Sequence, residues 1–417
     1  MKYLWGIFLI LLLVGNVWSA ETIGDALKGG KVGGEFKLWY QTSDKEPKDI
    51  FAKENSFFDA GVRLSYVSEN WHKISLKLSF YAVDDLVAYS NFANKSMIRP
   101  NADETATWLG EGYLAYIYQN TLLKIGRQNF KSPLVNSDAW PIFPNNFQGL
   151  LLKSRDIPET KVVLGWFFKE RRLKNEYFQD FLGDDGVMFI GLANKSIPKT
   201  TLVAYYYKAD LNGKDYYWQD KNYIGYVDSF YTEAQTKFSL PKEDLNFLLA
   251  GQYFFINPQK RGFDTTNAYG IKLGMNYQQK IGFSFAYSSV DNGYFNAAKL
   301  SDNGIKTPLY TFTISGDGDI AGRPNTDSFK LSFFIKPFSG LTTTFDYGHY
   351  NCDNKWNTAV SNDKVATTTE LITKYTGFKD FVIFAALIRS DHHGIGAWKG
   401  ANDDVLNALR IWIKYSF

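Results

Sequence analysis

Along most of its length the chain alternates apolar and polar side chains in short segments, the period of a strand whose two faces meet different surroundings. In 73–80, KISLKLSF, Ile74, Leu76, Leu78 and Phe80 point one way and Lys73, Ser75, Lys77 and Ser79 the other. In 269–278, Tyr269, Ile271, Leu273, Met275 and Tyr277 oppose Gly270, Lys272, Gly274, Asn276 and Gln278. In 328–336, Phe329, Leu331, Phe333 and Ile335 oppose Ser328, Lys330, Ser332, Phe334 and Lys336. This pattern predicts 18 strands: 32–41, 57–68, 72–82, 108–119, 121–128, 147–154, 160–170, 186–194, 200–208, 229–240, 245–256, 267–278, 281–290, 327–337, 341–350, 366–375, 381–389 and 406–417. Segments 108–119, 186–194 and 381–389 alternate poorly.

The connections alternate in length. Short ones at 69–71, 120–121, 155–159, 241–244, 279–280 and 339–340 are interleaved with long ones at 42–56, 83–107, 129–146, 171–185, 209–228, 257–266, 291–326, 351–365 and 390–405. All 12 prolines fall in connections or at a strand end, where no ladder donor is lost. Tight turns on one rim and long loops on the other predict an all-β fold, a transmembrane antiparallel β-barrel of about 18 strands. An even strand number puts both termini on the tight-turn, periplasmic rim. In hydrocarbon every backbone polar group must be paired, so such a sheet closes on itself and its last strand needs an apolar outer face. Residues 409–417, LRIWIKYSF, supply one in Leu409, Ile411, Ile413, Tyr415 and Phe417, with Arg410, Trp412, Lys414 and Ser416 turned inward. Tyr415 and Phe417 are candidates for the signal read by the barrel-assembly machinery.

Composition agrees with this picture. The first residues read as an export signal, with Lys2, an apolar run over 3–14 and Val17-Trp18-Ser19 before a cleavage site. Cleavage is placed after Ser19, with Ala20 as second choice, leaving 20–417 as a single barrel domain. No other apolar run approaches the roughly 18 residues of a membrane helix, which excludes a helical membrane protein. Phe, Tyr and Trp make up 17 % of the chain, residues favoured in strands and at membrane interfaces. Cys352 is the only cysteine, so no internal disulfide forms, and a net charge of +3 is too small to argue for nucleic acid.

If the apolar parity faces lipid, the other parity lines a lumen. Its cations are Lys37, Arg63, Lys73, Lys77, Lys124, Lys237, Lys272, Lys330, Lys336, Lys374, Arg410 and Lys414, and its anions Glu35, Glu233, Asp346 and Glu370. A closed core does not bury that excess, because each unpaired charge costs several kcal/mol. A water-filled channel holds it, and a positive tube concentrates anions.

The 129–149 stretch, NFKSPLVNSDAWPIFPNNFQG, carries three prolines, three phenylalanines and a tryptophan. So apolar a loop is expected to fold inward, where Trp140, Phe143 and Phe147 pack and prolines such as Pro133 and Pro141 keep it stiff. Its central charge is Asp138. Here LKIGRQ (123–128), SPLVNSD (132–138) and PNNFQG (144–149), after ALKGGKVGGEFKLWYQ (26–41), resemble the OprD-like outer-membrane porins, 18-stranded barrels, monomeric or trimeric, for small solutes. The likeness covers the N-terminal third. It implies that the third loop, 129–147, forms a constriction facing a ladder of basic wall residues. Asp138 falls at the loop's acidic position, and Arg63, Lys77, Lys124, Lys272, Lys330, Arg410 and Lys414 are candidates for the ladder. The family usually has an arginine three positions before Pro144, where this chain has Pro141, so a bidentate carboxylate clamp from that position is absent.

Other chemistry is weaker. SDHHG (390–394) sets Ser390, Asp391, His392 and His393 side by side, but neighbours in sequence are not a triad. An outer-membrane hydrolase is nonetheless the alternative. Asp317 and Asp319 sit at alternate positions, as in calcium loops, without further oxygen ligands, so 315–327 reads as a flexible external loop. GGKVGG (29–34) lacks the strand and helix of a phosphate site. An energy-coupled transporter needs a plug domain, and only 20–31 precede the first strand. The expectation is therefore a Gram-negative outer-membrane porin, not an enzyme and needing no cofactor or metal. It passes small hydrophilic solutes by diffusion, with an anion, carboxylate or amino-acid preference. Asp138 opposite the basic wall would orient dipolar solutes. Expected partners are those solutes, membrane lipid and lipopolysaccharide, and the assembly machinery.

Overall fold

The computed structural model describes residues 20–44, 49–51, 56–86, 105–138, 142–172, 175, 177–211, 225–240, 243–301, 306–314, 320–352, 365–391 and 405–417. Eighteen long strands follow one another: β1 Lys31–Ser43, β2 Ser56–Val67, β3 Ile74–Asp85, β4 Ala106–Tyr118, β5 Thr121–Gln128, β6 Asn146–Ser154, β7 Thr160–Arg171, β8 Val187–Asn194, β9 Thr200–Asp210, β10 Tyr226–Leu240, β11 Leu245–Pro258, β12 Thr266–Tyr277, β13 Ile281–Val290, β14 Thr326–Ile335, β15 Leu341–Cys352, β16 Val365–Tyr375, β17 Phe381–Asp391 and β18 Val405–Ser416. A two-residue strand, Gln179–Asp180, pairs with the end of β7. Each long strand runs antiparallel to its neighbours, and β1 pairs with β18, from Glu35 opposite Ser416 to Ser43 opposite Ala408. The sheet is a closed barrel. All the predicted segments are strands, and several run further toward the long-loop rim than the alternation alone indicates, because their pairing continues beyond the apolar outer face.

The seam closes by a backbone exchange: Phe417 N–H donates to Gly34 O (3.0 Å) and Gly34 N–H to Phe417 O (2.8 Å). A Cβ at residue 34 would stand 2.5 Å from both Arg63 O and the Phe417 ring, so only glycine seats the terminal aromatic there. Before β1, helix α1, Ile23–Lys28, is capped by Thr22, whose hydroxyl accepts from Asp25 N–H (3.1 Å). It docks on the β2–β3 turn, where Glu69 N–H donates to Ala26 O (3.0 Å). No helix among the described residues is long and apolar enough to cross a membrane.

The three weakly alternating segments have physical causes. In β4 the register shifts opposite Ser79 and Phe80, so Trp108 and Glu111 both face inward with Leu109 between them facing out. In β8 the lumen face is itself apolar, with Val187 and Phe189 buried beside Phe130 of the third loop. In β17 the inward Phe384, Ala386 and Ile388 pack with Trp412 and with Ile314 of the 291–325 connection.

Candidate functional site

The third loop lies inside the barrel. Ile142 and Phe143 are buried against the lumen faces of β1–β4, in a cluster with Trp39, Phe57, Tyr81 and Trp108. Tyr81 and Trp108 stack at 5.1 Å, and Phe143 meets Tyr81 edge-on at 5.1 Å, a contact worth about 0.5–1.5 kcal/mol beyond the buried area. Gly61 makes the room: a Cβ there would stand 2.6 Å from the Phe143 ring. The other arm packs Phe130, Leu134 and Val135 against Phe147, Phe167 and Phe189. Its turn is fastened by Ser137 N–H to Phe130 O (2.6 Å), and its return by Asn145, which donates to Glu170 (2.6 Å) and accepts from Asp138 N–H (2.7 Å). Pro133 lies on this arm, half-buried. Trp140 and Pro141 fall outside the described residues.

The 291–325 connection also turns inward, contrary to the external loop expected for part of it. At one end Leu300 N–H donates to Leu134 O (2.8 Å), Asn136 N–H to Ser301 Oγ (3.0 Å), and Lys306 pairs with Asp138. At the other it reaches the β14–β18 wall. Lys330 Nζ donates to Phe312 O (2.7 Å), Tyr350 Oη to Thr311 O (3.1 Å), Ile314 N–H to Glu370 (3.0 Å) and Arg410 Nη1 to Ile314 O (2.9 Å). The seventh loop is thus a strap across the lumen. Its signal was present in the sequence: Leu309, Thr311 and Thr313, buried in the structure, alternate with Tyr310, Phe312 and Ile314 in a run too apolar for an external loop. Asp317 and Asp319 lie outside the described residues, and no group of three metal-ligating side chains occurs among the described ones.

This arrangement revises the expected role of Asp138. Its carboxylate does not face the basic wall alone but is held by Lys306, so the negative end of the constriction is largely neutralised. Burial pushes the Asp138 carboxyl up, but Lys306, with Lys299 and Lys131, outweighs it and holds the group below the usual carboxylate range.

The predicted cationic wall divides by partner. Lys37 Nζ donates to Ile142 O (2.9 Å) between the rings of Trp39 and Trp412, and so clamps the third loop. Lys330 and Arg410 clamp the seventh, Arg410 also donating to Gln41 (2.9 Å). Arg63 pairs with Glu35 and Lys77 with Glu111, both at 2.9 Å. Lys124 donates to the Tyr113 hydroxyl (2.9 Å). Among the described residues no hydrogen bond or ion pair engages Lys272 or Lys414, which face the lumen from β12 and β18. Two corrections follow from the register. Lys73 and Lys336 lie in tight turns at the rim, Lys73 over the outward Tyr118 ring at 4.7 Å, because β3 begins at Ile74 and β14 ends at Ile335. Lys153 and Lys161, on β6 and β7, join the lumen parity, as does the anion Glu111 brought in by the β4 irregularity. Of the possible hydrolytic group, Ser390 is buried on the lumen side of β17, and His392 and His393 lie outside the described residues.

The model of a family described as outer membrane porin, OprD family, matches residues 112–303, and the fold matches OccAB1 of Acinetobacter baumannii with a TM-score of 0.73. Over residues 112–303 the chain is thus similar to the outer-membrane porins of the OprD family. OccAB1 shares 16 % identity with the porin, over 96 % of this chain and 99 % of that one. OccAB3 of the same organism superposes with a TM-score of 0.74 at 15 % identity, over 94 % of this chain and 99 % of that one. OpdK of Pseudomonas aeruginosa, solved with vanillate, gives 0.71 at 13 % identity over 94 % and 99 %. No curated protein matches the porin. Its place is the outer membrane, and the likeness to the solved structures at these identities is one of fold.

Proposed function

We propose that the porin admits small hydrophilic anions, carboxylates above all, and that the wall rather than the third loop selects them. The observation that carries this reading is the division of the lumen cations. After Lys37, Lys330 and Arg410 are spent on the loops and Arg63 and Lys77 on carboxylates, Lys272 and Lys414 keep ammonium groups that no described hydrogen bond or ion pair engages, and Lys124, Lys153 and Lys161 add positive charge along the β5–β7 wall. A positive, low-dielectric conduit raises the local concentration of anions and their rate of entry. The third loop, with Pro133, Asp138, Phe143 and Phe147, and with Trp140 and Pro141 beyond the described residues, sets the width. That OpdK was solved with vanillate, a carboxylate, is consistent with this class of solute. We also assign Tyr415 and Phe417 to recognition by the assembly machinery, and residues 1–19, outside the described residues, to an export signal.

The test is uptake of a panel of carboxylates and matched neutral solutes into liposomes carrying the porin. Lys272→Gln with Lys414→Gln should slow carboxylates and leave neutral solutes of equal size unchanged. Equal loss for both, or none, contradicts the proposal.

A further inference from the structure

Four of the tight turns share one design. The β6–β7, β8–β9, β14–β15 and β16–β17 connections are each five residues long, and each carries a large apolar residue at its third position: Ile157, Ile197, Phe338 and Phe378. In each, the apex carbonyl accepts from the first residue of the next strand, Thr160, Thr200, Leu341 and Phe381, at 3.0–3.4 Å. In each, the fifth residue has positive φ: Glu159 54°, Lys199 62°, Gly340 86° and Asp380 63°. The first residue donates sideways to the neighbouring turn, as in Thr376 N–H to Gly340 O (2.8 Å). A turn that only reverses the chain in water needs a polar apex, as the β12–β13 turn has in Gln278 and Gln279. These four instead leave their apices 55 %, 50 %, 58 % and 61 % exposed.

The direction in which two of them lean is fixed by their contacts. Phe338 and Phe378 both meet the ring of Tyr375 edge-on, at 6.3 and 5.1 Å. Tyr375 stands on the outward parity of β16, the face that meets lipid, since the lumen parity there is Glu370, Ile372 and Lys374. The patch continues along the same outer rim through Phe381 and Tyr415 (4.7 Å) to Phe417 (6.1 Å). A cation lies within two residues of every apex: Arg155, Lys195 and Lys199, Lys336, and Lys379. The turns also hold Asp156, Glu159 and Asp380, and Asp156 is taken up by Thr121 (2.5 Å) and Ser154 (2.9 Å).

We infer that these turns do not stand in the periplasm but lie in the headgroup region of the inner leaflet, where their apices and flanking cations bind phospholipid. The apolar apices extend the lipid-facing surface by one layer below the strand ends. Aromatic rings with an apolar body suit that interface, and neighbouring ammonium and guanidinium groups suit the lipid phosphates. The polar turn at Gln278–Gln279 leaves the collar interrupted on the β12–β13 side, so the porin would seat unevenly, deeper along β14–β18.

The experiment is spin labelling on a Cys352→Ser background, with single Phe338→Cys, Phe378→Cys, Ile157→Cys and Ile197→Cys variants in protein-free phospholipid vesicles. Leu371→Cys marks the lipid face and Gln279→Cys the polar turn. Heat-modifiable gel mobility establishes that each variant is folded. Labels at the four apices should shift toward the Leu371 reading, more accessible to dissolved oxygen than to a water-soluble nickel chelate, with Gln279 the reverse. Apex labels that read like Gln279 overturn the inference and leave the collar for a periplasmic protein. Should either phenylalanine variant fail to fold, Ile157 and Ile197 decide the matter by the same reading.

Discussion

Single residues decide how the lumen is filled. Lys37 holds the third loop by a hydrogen bond to Ile142 O, and its loss leaves a buried carbonyl unsatisfied at about 1–3 kcal/mol. Lys37→Met should therefore free one arm of the third loop, giving larger and noisier single-channel currents while the barrel still folds. Unchanged currents would remove Lys37 from the loop's support. Gly34→Ala should act elsewhere. With Arg63 O and the Phe417 ring 2.5 Å from the new methyl, the seam is strained, and the heat-modifiable transition should fall by several degrees with conductance unchanged in the folded fraction. Asp138 is a carboxylate held below its ordinary range, so the stability that its pairing with Lys306 contributes is present above the unfolded value, about 3.9, and fades as pH falls through the lower folded one. Conductance should stay level from neutral pH down to mildly acid conditions and rise only below about pH 4. Asp138→Asn should show the larger conductance at every pH. These roles were only half legible in sequence. Parity placed Lys37, Arg410 and Lys330 on the lumen face, but which cation meets a backbone carbonyl depends on where two loops come to rest. No strand pattern encodes that.

At the level of elements the sequence was most informative where alternation was clean and, less obviously, where it failed. A strand with lipid on one side and water on the other must alternate, and β3, β12 and β14 do. A strand with lipid on one side and a packed loop on the other has apolar residues on both faces, and β8 and β17 are of that kind, covered by Phe130 and Ile314. Loss of alternation in a barrel strand therefore marks where a loop is seated. The third loop was recognisable from its prolines and aromatics. In the seventh the glycine-rich 315–327 reads as external, whereas the apolar run at 309–314 is what seats it in the lumen. Since the strap rests on the third loop at Leu134 and Asp138, the two should act together. Deleting 133–144 should raise single-channel conductance markedly and unsettle the strap, seen as new protease cleavage within 291–325. No change in conductance would place the third loop outside the lumen.

For the molecule as a whole, strand count, closure and orientation follow from two periodicities, that of the side chains and that of the connections, and both are properties of a bilayer acting as solvent. Selectivity is less exposed to such reading, because it is the residue of charge left after internal pairing. The parity count gives a large positive excess, but ion pairs at Arg63 and Lys77, the loop clamps and the added Glu111 reduce it to a few groups around Lys272, Lys414 and the β5–β7 wall. Glu233 and Asp346 remain near Lys272, yet the balance is still positive. The direct measurement is the reversal potential of the purified porin in planar bilayers under a potassium chloride gradient. Its sign should correspond to chloride passing in preference to potassium, and the preference should weaken in Lys272→Gln with Lys414→Gln. A reversal potential of the opposite sign, potassium over chloride, would contradict the cationic wall as the selecting element.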